Sequence, residues 1–282
     1  MHDRAKEAGS DMPSNCQYIE TSHGTLAVEI SGDRGPDVVF IHGNSSCRDV
    51  FAKQVASPLL ADYRLIRFDL PGHGQSSDAP DKFRTYSRPG LADAVTELLG
   101  AMKVSRAVVV GWSLGGHVAI EMLSRSKIMT GACLIGAPPT GAVMAEGFCG
   151  RPMNGLAGKG DMTPDEVDRF VEGVIGETAE PFLRQAVART DRDFRSMLFA
   201  GAARGTGVNQ RDVVTSTSVP LAMINGADDQ IVNLDYIDDV PFSSLWQGRC
   251  FRIGKAGHAP FWQAPDRFNA ILSLFLTDVA HR

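Results

Sequence analysis

The run Val108-Val109-Val110-Gly111-Trp112-Ser113-Leu114-Gly115-Gly116-His117 constrains this chain more than any other segment. Its valines predict a strand buried on both faces, Gly-x-Ser-x-Gly a sharp turn, and the residues after it a helix. A serine at the apex of such a turn sits on strained backbone. Positions 111 and 115 need glycine so that strand and helix can pass closely. The Ser113 hydroxyl is then held at the carboxyl end of a sheet. It also lies beside the first turn of a helix, where unpaired N–H groups favour developing negative charge.

The remaining pattern supplies the sheet. Near-continuous apolar runs at 38–41, 65–68, 107–110, 132–135, 219–224 and 250–253 read as buried parallel strands, and the alternation in Leu26-Ala27-Val28-Glu29-Ile30 reads as a hairpin with the segment before Gly24. Helical periodicity falls between them, at 49–60, 90–102, 114–125 and 265–277. This alternation predicts an α/β fold: a mostly parallel central sheet with helices on both faces and ligands at the carboxyl ends of its strands.

Residues 137–218 break the rhythm and read as a helical lid inserted after the sixth strand. The core is then 16–136 and 219–282, behind an N-terminus expected to be disordered over 1–15. Thr163-Pro164-Asp165-Glu166 has a capping-box layout with proline at the first helical position. Further helices are expected at 180–189 and 192–201. Met144, Phe148, Met153, Phe170 and Met197 are the candidates to line an apolar, substrate-binding tunnel above Ser113.

At 282 residues and 43% hydrophobic, the chain can bury a large core. Its formal net charge of -5 carries no basic cluster, which disfavours nucleic acid and anionic membranes as partners. The charged start has no signal-peptide core and no apolar run spans a bilayer, so a cytoplasmic location is expected. Five cysteines without a Cys-x-x-Cys pair argue against a disulfide framework. No histidine cluster has metal-ligand spacing, so neither metal nor cofactor is expected. Cys47, close to the His42-Gly43-Asn44 loop, reads as a small loop residue.

A neutral histidine is the natural base for a serine. His258 qualifies: it lies in Ala256-Gly257-His258-Ala259-Pro260, after the last strand and before the last helix. His42, His73 and His117 read as braces. Adjacent carboxylates, Asp228 and Asp229, end the strand at 221–226, so the order is serine, acid, histidine.

That order, with the elbow at Gly111–His117, resembles the α/β-hydrolase superfamily. The segments Glu20–Gly24, Ile41–Ser46, Asp69–Gly74, Gly136–Pro139, Asn209–Asp212 and Ala256–Phe261 are similar to its N-acylhomoserine lactonase members. The resemblance implies a Ser113–His258–Asp229 triad, since the family spacing of glycine, two residues, acid and apolar pair fits Gly226, Asp229, Ile231 and Val232; Asp228 is the reserve. It also implies an oxyanion hole from the backbone N–H groups of Asn44 and Leu114, with the Asn44 side chain either touching substrate or bracing the loop. The implied activity is hydrolysis of a small-molecule acyl lactone or ester. Lids of that group can present a tyrosine, where this chain has Phe170. A carboxylesterase, a C–C bond hydrolase and a ligand receptor that keeps the triad are the alternatives.

Overall fold

A computed structural model describes residues 16–150 and 152–280; the stretch expected to be disordered, 1–15, lies outside the described residues. Eight strands form one sheet: β1 (Cys16–Thr21), β2 (Gly24–Ser31), β3 (Asp37–Ile41), β4 (Arg64–Phe68), β5 (Ala107–Trp112), β6 (Met129–Ile135), β7 (Leu221–Gly226) and β8 (Phe251–Ile253). Their spatial order is β1-β2-β4-β3-β5-β6-β7-β8. The expected hairpin is the antiparallel β1–β2 pair, β2 runs antiparallel to β4, and every later pairing is parallel.

The parallel strands are apolar on both faces because both are covered. Along β3, Val39 and Ile41 join one core cluster while Val38 and Phe40 join the other. The first cluster packs under α1 (Arg88–Ala101) and α2 (Leu114–Leu123), through Leu91, Val95, Val118 and Met122. The second packs under the last helix, Pro265–Val279, through Phe268, Leu272 and Phe275. Alternating side chains thus feed two layers, as a doubly covered sheet requires.

Between β6 and β7 the described residues contain helices and turns but no named strand. These are α3 (Pro164–Ile175), α4 (Pro181–Arg189), α5 (Phe194–Ala203) and α6 (Gln210–Ser216). At the start of α3, Thr163 and Glu166 form the reciprocal capping box. The helix expected over 49–60 is instead broken into Arg48–Phe51, Ala52–Val55 and Pro58–Leu60. Pro58 disfavours helical backbone at Ser57, whose ψ is 124°. The last helix is labelled α7 below.

Candidate active site

Ser113 links β5 to α2 with φ 53° and ψ -116°, a conformation that strains any residue carrying a Cβ. The serine N–H is tied to the Ile135 carbonyl at 2.7 Å. A Cβ on Gly115 would lie 2.0 Å from the Ile41 carbonyl oxygen, and one on Gly111 would lie 2.4 Å from that of Gly115. Absence of side chains at these two positions is what lets β3, β5 and α2 converge behind the serine.

His258 stands in the loop after β8, where the Trp112 indole N–H donates to its carbonyl at 2.9 Å. Its Nδ1 lies 2.8 Å from Asp229 Oδ2. A carboxylate only accepts, so Nδ1 carries the proton and Nε2 is left as the basic nitrogen. The other Asp229 oxygen accepts from the N–H groups of Ile231 at 2.8 Å and Val232 at 3.2 Å. Burial by itself would raise this carboxyl; the adjacent His258 and those N–H groups outweigh it and hold Asp229 below the usual aspartate range. Asp228 is exposed and makes no such contact. Gly136, at φ 56°, packs beneath the imidazole, where a Cβ would come within 2.7 Å of His258 Cε1.

Two further backbone donors reach this place, Asn44 from the loop after β3 and Leu114 from the first position of α2. The N–H groups of Asn44 and Leu114 donate to no protein group among the described residues. The Asn44 side chain braces: Nδ2 donates to the Ala157 carbonyl at 2.9 Å, and Oδ1 accepts from Ser45 Oγ at 3.0 Å. Ser45 Oγ in turn accepts from Arg195 Nε at 2.7 Å, and the same guanidinium donates to the carbonyls of Gly160 and Val187. Burial lowers Arg195 to about 10. Sequence reasoning missed Arg195, which shows no local pattern.

The three bracing histidines also find their places. His42 accepts from the Leu70 N–H on Nε2 and faces the Gly43 carbonyl with Nδ1; His73 does the same between the Ser45 N–H and the Pro71 carbonyl. Burial lowers both rings' affinity for a proton. His117 faces Gln210. Cys47 is buried and its thiol is pushed up to about 12, chiefly by that burial, which makes it a packing residue.

Ser113, Leu114, Asn44 and His258 all line a cavity of about 1020 Å³. Met144, Phe148, Met153 and Phe170 line it as expected, with Val174, Leu198, Phe199 and Ala202. Met197 does not. It packs against the core instead, because the face of α5 turned to the cavity runs through Leu198, Phe199 and Ala202, and Met197 lies about 100° around the helix from Leu198, on the side away from Phe199. Among the described residues no cluster of histidine, cysteine and carboxylate side chains has the arrangement of a metal site. Among the described residues, no helix is long and apolar enough to cross a membrane.

Residues 38–271 match the model of the alpha/beta hydrolase family. A crystal structure of N-acyl homoserine lactonase AidH, in a substituted form complexed with N-hexanoyl homoserine, superposes with a TM-score of 0.92 at 42% identity, covering 94% of this chain and 97% of that one. A pimeloyl-[acyl-carrier protein] methyl ester esterase of Aeromonas hydrophila is 29% identical over 89% of this chain and 99% of its own length. A 2-hydroxy-6-oxononadienedioate/2-hydroxy-6-oxononatrienedioate hydrolase of a Pseudomonas species is 26% identical over 96% of this chain and 98% of its own.

Proposed function

The chain belongs to the alpha/beta hydrolase family, and from that premise we propose that it is a serine hydrolase that opens the lactone ring of N-acylhomoserine lactones. One observation carries this reading: a single cavity holds Ser113, His258 and two unengaged backbone N–H groups, and the segment between β6 and β7 gives it an apolar wall. Likeness to a lactonase at 42% identity supports the choice of substrate.

In the proposed reaction, Ser113 Oγ attacks the lactone carbonyl as its proton passes to His258 Nε2. Asp229 keeps the opposite nitrogen protonated and stabilises the imidazolium. Negative charge on the carbonyl oxygen is met by the N–H groups of Asn44 and Leu114, each such donor supporting on the order of 100- to 1000-fold in rate. Collapse breaks the bond to the ring oxygen, which takes the proton from His258. The released alcohol stays tethered to the acyl-enzyme. His258 next draws a proton from water as the water attacks the acyl carbon, and passes that proton to Ser113 Oγ as the acyl–Oγ bond breaks, which frees Ser113 and an N-acylhomoserine.

The 137–218 segment serves as the cap in this reading, and the acyl chain lies along Phe148, Met153 and Phe170. Each buried methylene adds up to about 0.8 kcal/mol, or roughly fourfold in affinity. Phe170 offers the substrate no hydroxyl. The proposed location remains the cytoplasm.

The test is a pH-stat assay on N-acylhomoserine lactones of increasing chain length beside p-nitrophenyl esters, with EDTA present and with Ser113→Ala as control. Ring opening that depends on Ser113, survives EDTA and exceeds ester cleavage is expected. Ester cleavage without lactone opening would replace this reading with a carboxylesterase.

A further inference from the structure

His117 stands one helical turn beyond Ser113 on α2, its N–H donating to the Ser113 carbonyl at 3.1 Å. Its ring forms part of the cavity wall. Which nitrogen carries the proton follows from its partner. Gln210 is fully buried at the start of α6, a helix capped by the Asn209 side chain. Gln210 Nε2 donates to the His117 backbone carbonyl at 3.1 Å, while Gln210 Oε1 lies 2.7 Å from His117 Nδ1. A backbone carbonyl only accepts, which fixes the orientation of the amide; its oxygen is then left facing Nδ1 and also only accepts. Nδ1 therefore bears the proton, and Nε2 presents a bare lone pair.

Two further observations point that lone pair at a ligand. Nε2 hydrogen-bonds to no described residue and is not sealed off from the cavity. Burial first, and the positive charge of Arg88 second, lower the imidazole to about 4, so it is neutral near pH 7. Of the other polar side chains on the wall, Asn154 lies at the exposed cap side and the rest are committed or lack an acceptor. Asn44 braces Ala157 and Ser45, Glu166 serves its capping box and Lys159, and Arg88 can only donate.

We propose that His117 is a specificity-determining residue: its Nε2 accepts a hydrogen bond from an N–H on the carbon next to the scissile carbonyl, so that α-acylamino lactones and esters are preferred. An oxygen at that position would set lone pair against lone pair. The inference rests on the reading of the site as one that cleaves esters or lactones.

The experiment compares kcat/KM for an N-acylhomoserine lactone with that for the analogue in which oxygen replaces the amide N–H, in wild type, His117→Leu and His117→Gln. A wild-type preference of roughly 10- to 100-fold for the amide is expected. Leucine should bring the ratio close to one, whereas glutamine, whose Oε1 can accept, should retain part of it. A ratio near one in wild type, or a preference that survives leucine, overturns the inference while leaving the lactonase reading intact. If wild type opens neither lactone, that reading has failed, and the same comparison on linear α-acylamino and α-acyloxy methyl esters decides the role of His117 separately. A wild type inert on those as well overturns both. Should the leucine variant not fold, Gln210→Leu, which frees the tautomer, is expected to narrow the ratio, and an unchanged ratio counts against the proposal.

Discussion

Gly136 has no chemistry of its own, yet the position of His258 depends on it. The imidazole rests against its Cα hydrogens, where a methyl group would come within 2.7 Å of Cε1. Gly136→Ala would displace the ring and impose a positive φ on alanine. Misplacement of a catalytic group by about 1 Å can cost on the order of 100-fold, so kcat is expected to fall by that order while the thermal midpoint drops by only a few degrees. Steady-state kinetics beside a thermal melt checks this; an unchanged kcat would show that the ring does not depend on the contact. At this scale the sequence was informative where chemistry is local. Ser113 and its glycines are legible in a short pattern, and His258 in its loop. The choice of Asp229 over Asp228 came from the family spacing and not from the local pattern, because one residue of a turn decides which side chain faces the imidazole. Arg195 was silent for another reason, its Ser45 partner lying 150 residues away, and Gln210, although part of the Asn209–Asp212 segment, gave no sign of His117, 93 residues away.

Among the elements, two buried charged residues, Asp191 and Arg195, help to fasten the segment between β6 and β7 to the core. Asp191 accepts from the Tyr86 hydroxyl at 2.6 Å and from Lys82, while its own N–H reaches the Gly72 carbonyl. Arg195 ties Gly160 and Val187 to Ser45 and so to the loop that carries Asn44. Replacing Arg195 with alanine strips buried partners of their donor, at about 1–3 kcal/mol for each group left unpaired. The variant is expected to lose stability by that order, to be cut by protease within 137–218 faster than wild type, and to lose kcat/KM more than tenfold as Asn44 loosens. Urea melts and limited proteolysis read the first two effects. Protection equal to wild type would place the fastening elsewhere. Helix α3 was legible because its capping box and apolar spacing are written in neighbouring residues. The phase of α5 was not: Phe194, Met197, Leu198 and Phe199 spread apolar surface around more than one face, and only packing decides that Leu198 and Phe199, and not Met197, meet the cavity.

Over the whole molecule, the buried histidines govern the response to acid. His23, His42, His73 and His117 are all held below the ordinary histidine range, by burial before any other cause. His42 and His73 accept backbone N–H groups, so a proton on Nε2 would set donor against donor. The unfolded chain takes up protons as pH falls through about 6.5, while the folded chain resists, in the case of His117 down to about 4. The contribution of these rings is therefore complete above about pH 6.5 and declines below it. Asp229 acts in a lower window: its contribution is present above about pH 3.9, the unfolded value, and is lost as pH falls through the lower folded value. A fall in thermal midpoint between about pH 7 and pH 5, with net proton uptake on unfolding in calorimetry, is expected. A midpoint flat across that range would mean the rings titrate normally in the folded protein.

The hydrogen bond from Asn44 to Ala157 has a consequence in time. Were the 137–218 segment to lift and admit a substrate, the carbonyl of Ala157 would leave with it, and the loop carrying the Asn44 N–H would lose a restraint at that moment. Entry and reaction would then belong to different states of the molecule. A guest crossing the doorway would meet a slack loop at Asn44, and the proposed charge-stabilising pocket would be drawn taut only once the guest is enclosed.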